Sequence, residues 1–245
     1  MSPPVDLTLF AHLVNRPDDE IDLAEAALLI AAAERPDLDV ERYLGTLDRL
    51  GRVARLRRGE DRLPDGGVSR VLRFLYEELG YKGNASQYHD PRNSFLDEVI
   101  DRRTGIPITL AIVLVEVGRR AGIELAGVSF PGHFLVRAPG THGPTWIDPF
   151  VGRVLGRTNL RELYKRATGK DEDPESRLLE PCTKRAILAR LLGNLRGLYA
   201  SQSDPARLRG VLERLVLVGP TKEIQADLVR LGGARPFRGG SSAEN

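Results

Sequence analysis

The sequence is short of the residues from which several kinds of functional site are built. Its single cysteine, Cys182, excludes an internal disulfide framework and a cysteine-rich zinc site, and fits a reducing compartment. The 36 basic and 34 acidic side chains nearly balance, so no global field favours nucleic acid or a membrane surface. Neither of the phosphate-cradling patterns GxxxxGK[ST] and GxGxxG occurs. Any chemistry must therefore come from ordinary side chains.

Long apolar runs are also missing. None approaches the roughly 20 residues that a membrane-spanning helix needs, and the first residues lack the basic start and apolar stretch of a signal peptide. We therefore expect a cytoplasmic protein. With 245 residues, 41% of all residues apolar and 29% charged, the chain can bury a substantial core in one large domain or two modest ones.

Helices come first along the chain. Asp22 is an N-cap candidate, with Glu25 three residues later, before apolar residues at helical spacing. Helical patterns extend over residues 22–34, 40–58 and 68–81. Between the last two patterns, residues 65–67 (Asp-Gly-Gly) predict a turn or short loop. Residues 84–93 are rich in turn formers and predict a longer loop.

The most informative stretch runs from Asn93 to Phe150. Proline is favoured at the first position of a helix and disfavoured inside one, so a buried apolar helix is predicted to begin at Pro107. Short β-rich runs follow at residues 125–129, 134–137, 146–148 and 151–155. His133 lies at the start of the second run and Asp148 at the end of the third.

Two further helices, at residues 183–199 and 205–218, are predicted after a polar joint. Apolar residues and a proline stand at the positions that a tetratricopeptide unit fills in this way: Leu195, Tyr199, Leu208, Leu212 and Pro220. One such repeat cannot bury its own face, so the pair is expected to dock on the main domain or on a partner.

The central residues, taken together, resemble the core of the transglutaminase-like superfamily: Gly105, Arg119 to Ile123, His133, Trp146 and Asp148-Pro149. The strings NSFLDEVIDRRTGIPITL, PGHFLVR and WIDPF are similar to its SirB-one family, whose members continue into tetratricopeptide-like helices. The resemblance implies an α+β fold, with a transglutaminase-like (papain-like) core and a small antiparallel sheet. It implies an N-terminal helical segment (1–82), the core (83–169), a tetratricopeptide-like helical segment (170–232) and a disordered tail (233–245).

The nucleophilic cysteine of that superfamily maps onto Pro107. The position is two residues after Gly105 and fifteen before Gly122, and both anchors agree. Proline has neither a nucleophile nor an N–H, so the thiol acyl transfer that the resemblance implies cannot run there. Cys182, far along the chain, is interpreted as an incidental or buried thiol. We therefore expect neither a thiol transglutaminase nor a thiol protease.

His133 and Asp148 remain as candidate catalytic residues, since an Asp that fixes an imidazole tautomer is functional geometry. The pair is equally open to a structural interpretation, in which it joins two strands. Thr109, two residues inside the helix, is either a nucleophile activated by His133 or a residue that satisfies first-turn backbone groups.

Five residues are candidates for ligand binding: Asn93, Arg102, Arg103, Arg137 and Trp146. Arg102 or Arg103, beside a helix N-terminus, would make a pocket that favours binding of an anion. The alternative is that they form salt bridges with the acidic residues of 97–101 and lock the loop. Arg137, four residues after His133, would lie on the same face of its strand. Trp146 is interpreted as a core residue close to the site.

No cofactor is expected, and no metal site, because His133, Asp148, His89 and His142 lack ligand spacing. The leading hypothesis is a protein without its catalytic nucleophile that binds a peptide, a protein or a small anionic ligand in the old cleft. The helical pair would then offer a protein-binding surface; no nucleic-acid or membrane partner is expected, and the oligomeric state is left open. The alternative is a hydrolase or acyl transferase that uses Thr109 or a His133-activated water. A third option is an interaction protein in which the core is only a scaffold.

Overall fold

The structure, a computed structural model, describes residues 5–58 and 64–232 of the chain. Its helices are α1 (Val5–Val14), α2 (Leu23–Ala32), α3 (Val40–Arg58), α4 (Pro64–Leu72), α5 (Leu96–Arg102), α6 (Pro107–Arg120), α7 (Arg157–Thr168), α8 (Lys184–Ser201), α9 (Pro205–Val218) and α10 (Lys222–Arg230). Its strands are β1 (Lys82–Gly83), β2 (Thr104–Gly105), β3 (Ala126–Val128), β4 (Leu135–Ala138), β5 (Thr145–Asp148) and β6 (Arg153–Leu155). The α+β class is confirmed. None of the helices in these two ranges is long and apolar enough to cross a membrane.

The N-terminal helices wrap around α2. The Asp22 side chain accepts a hydrogen bond from the Glu25 N–H at 2.9 Å, so the predicted cap is present. Nearly every side chain of α2 is buried, because the helix packs against α1, α3, α5, α6 and α8. A helix that is apolar all round is buried on all sides.

Helix α4 corrects one prediction. The helix begins at Pro64 and runs straight through residues 65–67, which were expected to form a turn or loop. It continues beyond Leu72 as a wider π-type turn, Arg73–Glu78. Proline at the first position is compatible with a helix start, and Val68 and Leu75 are buried in the core. Apolar burial therefore overrides the low helix propensity of the two glycines.

Helix α6 begins at Pro107, as the sequence predicts, and ends at Arg120. It packs against α3 and α5 on one side and against β3 and β4 on the other. All but one of the residues from Pro107 to Gly118 are buried. The helix is therefore the centre of the core, and the sheet covers one of its sides.

The main sheet has the order β3-β4-β5-β6 and is antiparallel throughout. Val136 of β4 pairs with Ile147 of β5, and both belong to the apolar core around α6. The other face packs against α7 through Leu135 and Trp146. A second pair, β1 and β2, is parallel and was not predicted, because two-residue strands carry no periodic pattern.

The predicted helical pair at the C-terminal end is present as α8 and α9, within two residues of the expected bounds. Helix α8 packs on α2 and α6, and α9 packs on α1, so the pair docks on the same chain. One apolar cluster joins side chains from α1 to α6 and from α8 to α10, while α7 packs in a second cluster. The tetratricopeptide register and the four-part division of the chain stay predictions, and the predicted tail, 233–245, lies outside the described residues.

Candidate active site

His133 and Asp148 meet where β4 begins and β5 ends. The Nε2 atom of His133 lies 2.9 Å from Oδ1 of Asp148, and the same oxygen accepts the backbone N–H of Phe150 at 2.8 Å. The strand register brings Leu135 opposite Asp148, so His133 lies two residues earlier, in a turn closed by its own N–H on the Phe130 carbonyl at 3.1 Å. Only 16% of the imidazole and 13% of the carboxylate side chain are exposed. The pair therefore joins two strand ends in a largely dry setting.

The second ring nitrogen of His133 is left for other partners. With Nε2 on the carboxylate, Nδ1 is hydrogen-bonded to no residue within 5–58 or 64–232. A carboxylate on one nitrogen fixes the tautomer of an imidazole and directs the other nitrogen toward a ligand or reacting group. His133 and Asp148 therefore have the mutual arrangement that a His–Asp pair has in a catalytic triad.

The topology brings the pair to the end of the sheet where α6 begins. Strand β3 follows α6 after a short turn and runs back along it, and β4 is antiparallel to β3. Strand β4 therefore starts, and β5 ends, near the helix N-terminus. His133 and Asp148 are carried to the Pro107 end of α6.

Strand β1 and the residue after it connect the turn that follows Asp148 to the segment that leads into α6. The N–H of Gly83 donates to the Phe150 carbonyl at 2.8 Å, and the N–H of Asn84 donates to the Gly105 carbonyl at 2.9 Å. Phe150 is two residues after Asp148, and Gly105 is two residues before Pro107. Two consecutive backbone amides thus tie the carboxylate turn to the segment that starts α6.

Thr109 caps α6 and does not reach the imidazole. Its hydroxyl donates to the Asn93 carbonyl at 2.7 Å and accepts the N–H of Ile106 at 3.2 Å. The residue is completely buried, and among the described residues it has no hydrogen bond to His133. The geometry supports the backbone-satisfying interpretation of Thr109, and the nucleophile interpretation finds no contact to support it.

Asn93 is also turned inward. Its Nδ2 donates to the carbonyls of Gln87 and Tyr88 at 2.7 and 3.2 Å, and its Oδ1 accepts from Asn84 at 3.0 Å. The side chain is fully buried. Its role in this structure is to hold the loop of residues 84–93 against α6.

The two adjacent arginines have different partners. The Arg102 guanidinium lies 3.8 Å from Asp90 and 4.0 Å from Glu98, which agrees with the loop-locking interpretation. Arg103 ends α5 with a left-handed backbone (φ 53°) and donates to the Leu79 carbonyl at 2.9 Å. Neither guanidinium is hydrogen-bonded to His133 or Asp148 within the described ranges.

Arg137 and Trp146 lie side by side on β4 and β5, on the face toward α7. The indole Nε1 donates to the Leu179 carbonyl at 3.0 Å, which fixes the ring against the segment after α7. Trp146 is therefore a partly buried packing residue two positions from Asp148, as interpreted from the sequence. Arg137 is half-buried beside it.

Two aromatic residues near the site were missed by the sequence analysis. The Tyr76 hydroxyl donates to the Pro149 carbonyl at 2.7 Å, and burial, with the nearby Asp148 charge, raises the pKa of Tyr76 far above its usual value. The Tyr88 ring lies 6.2 Å from the Phe150 ring and is 45% exposed. Neither residue belongs to a motif, and Tyr76 is 73 positions from Pro149, so no local signal identifies them.

Cys182 does not replace the missing nucleophile. Its N–H and its thiol both point at the Gly127 carbonyl, at 2.9 and 3.3 Å. Among the described residues, Cys182 has no hydrogen bond to His133. Burial raises the pKa of the Cys182 thiol. Within the described part of the chain, no group of three or more His, Cys, Asp or Glu residues is arranged to hold a metal ion.

Comparison with known proteins identifies the family of this chain. Residues 41–193 match the family described as the transglutaminase-like superfamily. A UPF0162 protein of Xylella fastidiosa is 40% identical over 221 residues, which cover 88% of this chain and 78% of that protein. A UPF0162 protein of Pseudomonas aeruginosa is 34% identical over 200 residues, covering 81% and 72%.

A shorter match extends to a eukaryotic protein. F-box only protein 21 of Mus musculus is 42% identical over 130 residues, which cover 49% of this chain and 20% of that protein. No solved structure matches. The family match and the similarity over most of the chain show that this protein belongs to the transglutaminase-like superfamily.

Proposed function

We propose that this protein is a non-catalytic, cytoplasmic member of its superfamily that binds a peptide or protein ligand in the former catalytic cleft. One observation carries the proposal: Pro107 occupies the first position of α6, while His133 and Asp148 stay joined at 2.9 Å beside that helix end. Thiol chemistry has no starting atom at Pro107, whereas the polar groups of His133 and Asp148 are present to contact a ligand.

The remaining groups suit recognition of a polar chain. The unengaged Nδ1 of His133 can donate to or accept from a peptide group, depending on its protonation. Tyr88, on the loop before α5, offers an exposed aromatic surface next to Phe150. A small number of placed polar groups beside aromatic surface is the usual composition of a ligand site.

The single tryptophan of the chain can report ligand binding through its fluorescence. Trp146 is the only tryptophan and precedes Asp148 by two residues, so a ligand at the pair should change its fluorescence. The experiment titrates acetylated pentapeptide amides of varied composition into the wild type and His133→Ala. We expect a saturable change with at least one composition and at least a tenfold weaker affinity in His133→Ala, roughly a 1.4 kcal/mol loss. Unchanged affinity in His133→Ala would contradict the proposal.

A second candidate function, a hydrolase that uses a water activated by His133, is favoured only by the unengaged Nδ1. Assay with p-nitrophenyl acetate and a peptide p-nitroanilide separates the two. Turnover by the wild type that is lost in His133→Ala and kept in Thr109→Ser would establish the enzyme and defeat the binding proposal. We expect rates equal to the uncatalysed reaction in all three proteins.

A further inference from the structure

Strand β6 is an open edge of the main sheet. It pairs with β5 on one side only, and outside that pairing its backbone groups make no hydrogen bond to any other described residue. Val151, two residues before this strand, and Val154, within it, are 55% and 42% exposed. An edge with unpaired N–H and C=O groups is a template for another extended chain.

A groove of about 590 Å³ has Arg153 and Val154 of this strand in its lining. One wall is the end of α4 with its π-type turn and the start of β1, and the other is the segment from Phe150 to Val154. Apolar and aromatic side chains on the two walls are Leu72, Tyr76, Tyr81, Phe150, Val151 and Val154. The Tyr76 hydroxyl closes one side of the groove by its bond to the Pro149 carbonyl. The groove therefore reaches the turn that carries Asp148.

The charged side chains that line the groove are mostly positive. Arg73, Lys82 and Arg153 line it, together with one acidic residue, Glu77. None of the four forms an ion pair with any residue that the structure describes. Unpaired cations that flank a groove favour a partner of negative charge.

We propose that an acidic, extended peptide segment of a partner protein binds in this groove and adds to β6 as a further strand of the sheet. Strand addition satisfies the free backbone groups of the edge, while alternate side chains of the peptide contact the exposed valines and the cations. A second copy of this chain suits the groove less well, since a symmetric contact would set its excess of positive charge against the same excess on the other copy. His133, Asp148 and Pro107 are not among the residues that line this groove, so strand addition here does not rest on the binding proposed for the cleft.

The first test uses a fluorescein-labelled decapeptide of alternating Glu and Val, with a Lys-Val decapeptide as the opposite-charge probe, read by fluorescence anisotropy. We expect the acidic peptide to bind and the basic one not to bind. Arg73→Glu combined with Lys82→Glu should weaken binding at least tenfold. Arg52→Glu combined with Arg55→Glu, an equal charge change at exposed sites on α3 without ion pairs, should change affinity less than twofold. Equal loss in the two double variants, or no binding of the acidic peptide, would overturn the proposal.

The second test addresses the backbone. In an added strand, the N–H groups of alternate residues face the same edge, so methylating all valine nitrogens and methylating all glutamate nitrogens should have unequal effects. We expect at least a fivefold difference in affinity between the two methylated peptides. Equal effects would show that the peptide is not an added strand. His133→Ala should leave affinity for the acidic peptide within twofold, so a failure here is distinct from a failure of the cleft proposal.

Discussion

His133 Nε2 lies 2.9 Å from Asp148 Oδ1, although the two residues are 15 positions apart and belong to different strand ends. The bond leaves Nδ1 as the nitrogen that faces other partners, which is the arrangement needed to activate a thiol on the neighbouring helix. The resemblance to the superfamily maps its cysteine onto Pro107, the first residue of α6. The His133–Asp148 pair is therefore present in a chain whose helix α6 begins with a residue that has no nucleophilic atom.

Restoring the thiol tests whether that pair is still competent. In a Cys182→Ser background, Pro107→Cys should react with iodoacetamide with a pH midpoint below about 8.5, the value of an ordinary cysteine, because the helix N-terminus and the imidazole stabilise the thiolate. The rate of alkylation against pH is the measurement. Adding His133→Ala should move the midpoint back up, and overlapping profiles would mean that the imidazole does not reach the restored sulfur.

Wild-type Cys182 should behave in the opposite way. Burial raises the pKa of its thiol, so at a given pH a smaller fraction is thiolate than in an exposed cysteine. Alkylation of the folded protein should therefore be slow at neutral pH, with a midpoint above about 8.5. The urea-unfolded chain should show the ordinary midpoint. Rapid reaction of the folded protein at neutral pH would contradict the buried environment described for this residue.

Thr109→Val separates the capping role from a chemical one. The substitution keeps the shape but leaves the Asn93 carbonyl and the Ile106 N–H without their hydroxyl partner in a fully buried place. We expect a loss of about 1–3 kcal/mol in the free energy of unfolding, measured in urea. Thr109→Ser, which keeps the hydroxyl, should lose clearly less. If both variants unfold like the wild type, the hydroxyl does not hold the start of α6.

Gly83→Ala tests the close approach of β1 to Phe150, in the turn that follows Asp148. A Cβ at this position would lie 2.3 Å from the Phe150 ring, so the ring or β1 must move. We expect destabilisation of about 1–3 kcal/mol in urea unfolding, as for other overpacked positions. Gly193→Ala on α8 is the matched control: its Cβ would meet open space, and alanine should stabilise the helix by about 0.5–1 kcal/mol. Equal effects at both positions would contradict the close approach at Gly83.

Much of the local structure follows from short patterns. Pro107 at the start of a long apolar run fixes the beginning of α6, and α9 has its predicted bounds because Pro205 begins it and Val218 precedes Gly219. The α+β class follows from the resemblance carried by residues such as Trp146 and Asp148. These features depend on neighbours in the sequence.

The surroundings of the site depend on distant partners instead. Tyr76 meets Pro149 across 73 positions, and the Cys182 thiol meets Gly127 across 55. Neither contact leaves a periodic trace in the sequence. The inward direction of Asn93 likewise follows from its bonds to three separate backbone and side-chain groups, which no spacing rule predicts.

The two-residue strand β1 has a mechanical consequence. The Gly83 amide at its end and the Asn84 amide that follows hold the Phe150 carbonyl and the Gly105 carbonyl, respectively. We therefore expect a ligand that displaces Phe150 to disturb the segment that leads into α6 as well, because consecutive amides of one backbone hold both.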